Sequence, residues 1–267
     1  MHYLFACCTD AGKRKGPNQD SLLFKEASCK GERVALAAVC DGMGGLWKGE
    51  LASASMVRAF SGWFERSLPG ILSLPSMENA LLRSWDRLLA DMNERLEACG
   101  SRKRSPMGTT ATAMLFARGG YYIAHVGDCR AYEIGGQIRQ LTKDQTLVQR
   151  EVENGRLTRE EAERDARRNV LLQCVGASGE LCPAYERGTV REDAVYVLCC
   201  DGFRHHVREP EMLETLAPRV MNGEKAMKRQ LAALVALNQK RGEQDNISVL
   251  AVRPAVRKGY AGNRDGD

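Results

Sequence analysis

Short, almost wholly apolar runs rich in Val, Ala, Ile and Tyr recur along this chain and constrain its fold more than any other feature. They occupy 34–40, 111–116, 121–126, 131–134, 194–200 and 247–252, and at that length they read as buried strands. Helical patterns lie between them at 49–66, 77–98, 146–154, 158–167, 209–221 and 224–240, and Thr158-Arg159-Glu160-Glu161 has the spacing of a capping box. Several strands follow one another directly, and 121–126 with 131–134 reads as a hairpin across Gly127-Asp128-Cys129-Arg130. Simple βαβ crossovers are too few for a doubly wound parallel sheet, so the expected fold class is α+β, antiparallel sheets covered by helices.

At 267 residues and 43% hydrophobic composition, the chain can bury a substantial core and is not a disordered polymer. No repeat or low-complexity linker divides it. One domain over 1–256 is expected, with a disordered, basic, glycine-containing tail over 257–267. Basic and acidic residues number 39 and 34, and the net charge of +5 is spread out, apart from Gly12-Lys13-Arg14-Lys15 and Arg102-Lys103-Arg104. Such short runs are solvated faces rather than a nucleic-acid footprint. The first residues carry no basic leader, and no stretch approaches the roughly 18 apolar residues of a membrane span. The expectation is a soluble, cytoplasmic protein that engages no membrane and is a monomer. Its ten cysteines lack CxxC or HxxxH spacing and read as reduced, small core residues.

Chemistry enters where an aspartate directly ends or begins an apolar run, which happens four times. The run 34–40 leads into Asp41-Gly42-Met43-Gly44-Gly45, 121–126 into Gly127-Asp128 and 194–200 into Asp201-Gly202, while Asp245-Asn246 opens the last run. Any one Asp-Gly is an ordinary turn. Four carboxylates gathered at one sheet edge without basic partners would repel one another, whereas hard divalent cations would neutralise them, and Mg²⁺ or Mn²⁺ prefers oxygen ligands. Gly42, lacking a side chain, leaves its carbonyl free to approach such an ion.

In this order the motifs resemble the metal-dependent type 2C serine/threonine phosphatases, most closely their bacterial members. The resemblance runs through Thr9-Asp10-Ala11-Gly12, Asn18-Gln19-Asp20, Asp41-Gly42-Met43-Gly44-Gly45, Met107-Gly108-Thr109-Thr110 and His125-Val126-Gly127-Asp128-Cys129-Arg130. It continues through Leu141-Thr142-Lys143-Asp144, Arg168-Asn169-Val170-Leu171, Cys200-Asp201-Gly202 and Asp245-Asn246-Ile247. It implies a four-layer α-β-β-α sandwich with the metals in a cleft at one sheet edge. By matching motif, Asp41 would bridge two metals, and the Gly42 carbonyl, Asp201 and Asp245 would complete their shells. Asp20 would act nearby through water, and Asp128 would contact a third, weaker ion. The cofactors implied are two Mn²⁺ or Mg²⁺ ions. A bridging water would attack phosphorus in line with no protein nucleophile. The partners implied are phosphoserine and phosphothreonine proteins and an opposing bacterial serine/threonine kinase.

The phosphate-holding arginine of the family aligns with Lys15, beside Arg14. Lysine offers a point charge where arginine offers a fork, so either Lys15 or Arg14 would hold the phosphate. Gln19 replaces an acidic residue, Cys129 and Cys200 replace serines, Gln145 stands where histidine is frequent, and Phe203-Arg204 replaces Leu-Thr. Met43 cannot act as an acid, and the Arg- and Glu-rich segment 145–186 matches the family's variable flap beside the cleft, where substrate choice would lie. His125 and Thr109-Thr110 read as packed core residues, while His205-His206 could tune the cleft or be merely superficial. Two rivals remain. Cys8 and Arg14 have the Cys-x5-Arg spacing of a cysteine phosphatase, but Cys7 stands where its usual histidine would and the loop lacks the expected glycine pattern. A catalytically silent phosphoprotein-binding module is the other, and retention of Asp41, Asp201 and Asp245 weighs against it.

Overall fold

A computed structural model describes residues 2–13, 16–29, 31–43, 46 and 48–255. Arg14, Lys15 and the tail 257–267 therefore lie outside the described residues. In chain order the elements are β1 (His2–Asp10), β2 (Asp20–Cys29), β3 (Glu32–Asp41), α1 (Gly49–Arg66), α2 (Leu68–Ile71), α3 (Met77–Lys103), β4 (Ala111–Ala117), β5 (Gly120–Val126) and β6 (Arg130–Ile134). They continue with β7 (Ile138–Gln140), α4 (Leu147–Glu153), α5 (Arg159–Arg164), β8 (Ala184–Thr189), β9 (Val195–Cys199), α6 (Asp201–Arg204), α7 (Glu209–Leu216), α8 (Glu224–Lys240) and β10 (Ile247–Ala255). The strands form two five-stranded sheets, ordered β1-β10-β9-β6-β7 and β2-β3-β4-β5-β8, with antiparallel pairing throughout.

Strand alternation explains the layering. On β3, Ala35, Ala37 and Val39 face the other sheet, while Val34, Leu36, Ala38 and Cys40 face the helices. Both faces are covered, so the strand reads as one continuous apolar run rather than an alternating one. Between the sheets, Phe116 meets Tyr196 edge-on at 5.3 Å and Phe5 stacks on Phe24 at 4.3 Å. Burying a side chain such as fully enclosed Phe116 contributes about 1.5–3 kcal/mol. Outside one sheet, Phe60, Trp63, Leu81, Trp85 and Leu89 of α1 and α3 form the second core; outside the other, Met212 and Leu216 of α7 and Met227, Leu231 and Leu234 of α8 close the first. The result is the expected four-layer α-β-β-α sandwich. Among the described residues no helix is long and apolar enough to cross a membrane, and all ten cysteines are free thiols.

The structure overturns several local expectations. Strands β5 and β6 do not form a hairpin: β5 pairs with β4 and β8, whereas β6 pairs with β9 and β7 in the opposite sheet. Gly127, at φ +106 and with Thr110 side-chain atoms 2.6–2.8 Å from where a Cβ would sit, turns the chain from one sheet to the other. Its amide and carbonyl are held by Gln145 at 2.7 and 2.8 Å, so a third segment satisfies the turn. The helix expected over 209–221 ends at Leu216, because Pro218 drives Ala217 to an extended ψ of 146. The helix expected over 158–167 ends at Arg164, where the Asp165 carboxylate accepts from the Arg167 amide at 2.7 Å and replaces the next turn. Its start carries the capping box of Thr158 and Glu161 as read from sequence.

Candidate metal centre

Topology brings the aspartates to one end of the sandwich. Asp20 opens β2 and is the register partner of Asp41, the last residue of β3. Asp201 follows β9 as the first residue of α6, and Asp245 precedes β10, the antiparallel neighbour of β9. Asp128 lies in the crossover from β5 to β6.

Backbone clamps fix these positions. The Asp41 amide donates to Thr110 Oγ1 at 2.8 Å, the Thr110 amide returns to the Asp41 carbonyl at 2.8 Å, and Thr109 Oγ1 donates to that carbonyl at 2.9 Å. The buried threonines thus anchor the peptide that carries Asp41. Asn246 ties the loops together: its Oδ1 accepts from the Gln19 amide at 2.9 Å and its Nδ2 donates to the Ala11 carbonyl at 2.8 Å. The Gln19 carbonyl accepts from the Gly42 amide at 3.0 Å and from Ser53 at 2.5 Å. A Cβ on Gly42 would sit 2.2 Å from the Gly49 carbonyl oxygen, so only glycine lets α1 start directly against the Asp41-Gly42 turn.

The electrostatics of this end are those of an acidic pocket. Burial and the surrounding charges of Asp20, Asp201, Asp128 and Asp245 hold the Asp41 carboxyl well above its ordinary range. Asp20 is raised to about 6 by burial and by Asp201 and Asp245, partly offset by the nearby Ser248 hydroxyl and Cys200 thiol. Both Asp20 carboxylate oxygens are nevertheless buried without a well-formed hydrogen bond. Donor atoms of Asp20, Asp41 and Cys200 fall within 4.8 Å of one another. Orphaned buried carboxylate oxygens beside like charges are costly unless a cation is bound, and an oxygen-rich donor set fits Mg²⁺ or Mn²⁺. The residues present therefore fit a divalent cation.

Around this pocket lie ion pairs that the sequence did not reveal. Arg130 grips Asp144 through two bonds of 2.8 and 2.7 Å, and Arg204 reaches Asp144 at 3.2 Å and Asp128 at 3.8 Å. Burial raises the Asp128 carboxyl to about 7, with Asp201 adding to the rise and Arg204 opposing it. His205 is not superficial: its Nδ1 lies 3.0 Å from Glu243 Oε2 and its Nε2 3.5 Å from Asp201 Oδ2. Burial opposes ionisation of Glu243, yet the His205 hydrogen bond and the Asp245 amide bring its carboxyl down to about 2. The only hint in the sequence was adjacency to Asp201 and Asp245. His125 is a core residue, as read: Nδ1 lies 2.9 Å from Thr112 Oγ1, Nε2 3.0 Å from the Lys143 carbonyl, and burial lowers its pKa. Cys8 sits half-buried on β1, and burial with neighbouring Cys7 and Asp10 raises its pKa, the opposite of what a thiolate nucleophile needs. The segment 145–186 carries α4 and α5, as its helical start suggested, and from Ala184 it has already entered β8. With Lys143, it lines a cleft of about 630 Å³ bordered by Gln149, Arg150, Gln173 and Glu180.

Comparison with known proteins agrees with this architecture. The family model described as Protein phosphatase 2C matches residues 9–236. The serine/threonine phosphatase stp of Listeria innocua is 31% identical over 264 residues, covering 97% of this chain and 98% of that protein. The solved S. agalactiae serine/threonine phosphatase superposes with a TM-score of 0.81 at 27% identity, covering 95% of this chain and 100% of that one. The catalytic domain of the phosphatase PstP, solved in complex with 2 manganese ions, superposes with a TM-score of 0.75 at 29% identity over 94% of this chain and 97% of that one. The chain belongs to the protein phosphatase 2C family.

Proposed function

We propose that this chain is a serine/threonine phosphoprotein phosphatase that uses two Mn²⁺ or Mg²⁺ ions, held by Asp41, the Gly42 carbonyl, Asp201 and Asp245 with Asp20 close by. The observation that carries the reading is the Asp20 carboxylate, buried beside Asp41 with neither oxygen making a well-formed hydrogen bond. The 2 manganese ions bound by the PstP catalytic domain support it.

When bound, the two cations supply Lewis acidity, neutralising phosphoryl oxygens and making water a nucleophile able to attack phosphorus in line. The chain's own residues orient the reactants. Asp41 presents its carboxylate from a peptide fixed at both ends by Thr109 and Thr110, and Asn246 locks the loops bearing Asp20 and Asp245 into one register. Lys15, with Arg14, draws the substrate phosphate into the pocket. The cleft beside α4, lined by Lys143, Gln149, Arg150, Gln173 and Glu180 among others, receives the flanking substrate chain. In the cell the enzyme opposes a serine/threonine kinase, acting as a cytoplasmic monomer in a signalling circuit.

Hydrolysis of a phosphothreonine peptide, followed with Mn²⁺, after EDTA and after Mn²⁺ is restored, tests this reading. Turnover should vanish with EDTA and return with Mn²⁺. Turnover untouched by EDTA would overturn it.

A further inference from the structure

We propose that the guanidinium of Arg204 stands where a third cation would otherwise sit, so that this chain works with two ions rather than three. The proposal rests on the two-ion reading above and concerns only the Asp128 side of the centre.

Arg204 is the last residue of α6, three positions after Asp201, and its side chain is 16% exposed. Its Nη2 lies 3.8 Å from Asp128 Oδ2, 3.4 Å from the Asp128 carbonyl and 3.2 Å from Asp144 Oδ2. Asp144 is held on its other side by the two-pronged contact from Arg130. Two guanidinium groups thus face two carboxylates, and Arg204 offsets part of the charge at Asp128 from within the protein. The neighbourhood of Asp41 differs, because the charges that bear on its carboxylate are those of Asp20, Asp201, Asp128 and Asp245, all acidic.

A cation joining Asp128 would have to displace the guanidinium or sit beside it, against repulsion that burial strengthens. The Arg204 Nε is itself buried without a partner. The side chain is therefore held through Nη2 by its carboxylates rather than by a full set of hydrogen bonds. The type 2C resemblance implies a weaker ion at Asp128, in sequences that commonly carry uncharged Leu-Thr where this chain has Phe203-Arg204. The charge of that ion is here supplied by a side chain that cannot dissociate.

Counting bound Mn²⁺ by equilibrium dialysis with metal analysis, and by the EPR signal of free Mn²⁺, tests this without reference to turnover. The full chain should take up two ions up to millimolar Mn²⁺, and Asp128→Asn should leave that count unchanged. Arg204→Thr, checked for folding by circular dichroism, should take up a third, weaker ion, and the added uptake should disappear in Arg204→Thr/Asp128→Asn. A third ion in the unaltered chain that Asp128→Asn removes would overturn the proposal while leaving the two-ion reading intact. So would a folded Arg204→Thr that gains no ion. Failure to bind any Mn²⁺ would overturn both. If Arg204→Thr does not fold, the comparison of the unaltered chain with Asp128→Asn decides alone.

Discussion

Removing Asp144 should cost far more stability than its single charge suggests, because it would strand two buried cations. Its side chain is 8% exposed, that of Arg204 16% and that of Arg130 25%. Three charge-assisted bonds of 2.7, 2.8 and 3.2 Å end on its two oxygens. In Asp144→Ala, Arg130 keeps only its 3.2 Å contact to the Tyr132 hydroxyl, and Arg204 keeps only the Asp128 side. Breaking a buried pair by deleting one partner costs about 3–5 kcal/mol, a large share of the ~5–15 kcal/mol that holds a domain folded. Urea denaturation at one fixed Mn²⁺ concentration, so that cation binding weighs equally on both proteins, should show the midpoint fall with little change in slope. The melting temperature should fall by about 10 °C. The effect also has a sign in pH. Burial alone would raise the Asp144 carboxyl, but Arg204 and Arg130 outweigh it and hold the carboxyl below its ordinary value. The stabilisation is thus fully present above the unfolded pKa of about 3.9 and is lost as pH falls through the lower folded value. The gap between the two proteins should be constant near neutrality and narrow only below about pH 4. Asp193→Ala, which removes the nearer acidic partner of half-exposed Arg191 on the surface, should leave the midpoint where it was. An Asp144→Ala loss below about 1 kcal/mol would place this network with surface ion pairs and refute the argument from burial.

Thr110→Val deletes the acceptor of the Asp41 amide and should weaken Mn²⁺ binding by about 10–100-fold in calorimetric titration, the usual effect of removing a ligand's supporting hydrogen bond. Gly42→Ala drives a Cβ to 2.2 Å from the Gly49 carbonyl and 2.6 Å from the Gln19 carbonyl, both backbone; thermal melts should show a loss of at least about 1–3 kcal/mol. Cys8→Ser should leave phosphopeptide turnover unchanged, because burial keeps that β1 thiol protonated.

What the sequence made legible divides along the sheets. The six strands visible as apolar runs are β3, β4, β5, β6, β9 and β10, and these are the interior strands of the two sheets. The four that went unread, β1, β2, β7 and β8, are the edges. An edge strand such as β2 is only half-buried and carries Lys25 and Glu26 among its apolar residues, so its composition does not announce a strand. The supposed hairpin failed for a related reason. Two buried runs joined by Gly-Asp look alike whether they pair or part, and the deciding contact, Gln145 with Gly127, comes from 18 residues away. The acidic pocket was legible because Asp41, Asp128, Asp201 and Asp245 each stand at or within two residues of the end of an interior strand, and interior strands end together; Asp20, on edge strand β2, was found only through the motif resemblance. The Arg130–Asp144–Arg204 network and the bridge of His205 to Glu243 were not, since each joins segments distant in sequence whose residues are individually ordinary.

Turnover of a phosphothreonine peptide by Asp41→Asn at saturating Mn²⁺, with circular dichroism to verify folding, tests the central claim most directly. The account predicts a folded protein whose kcat falls by about a thousandfold or more, as expected when several kcal/mol of cation-borne charge stabilisation are removed from the transition state. A folded Asp41→Asn that still hydrolyses the peptide within tenfold of the unaltered chain would contradict it. So would an unaltered chain that binds the phosphopeptide but never turns it over.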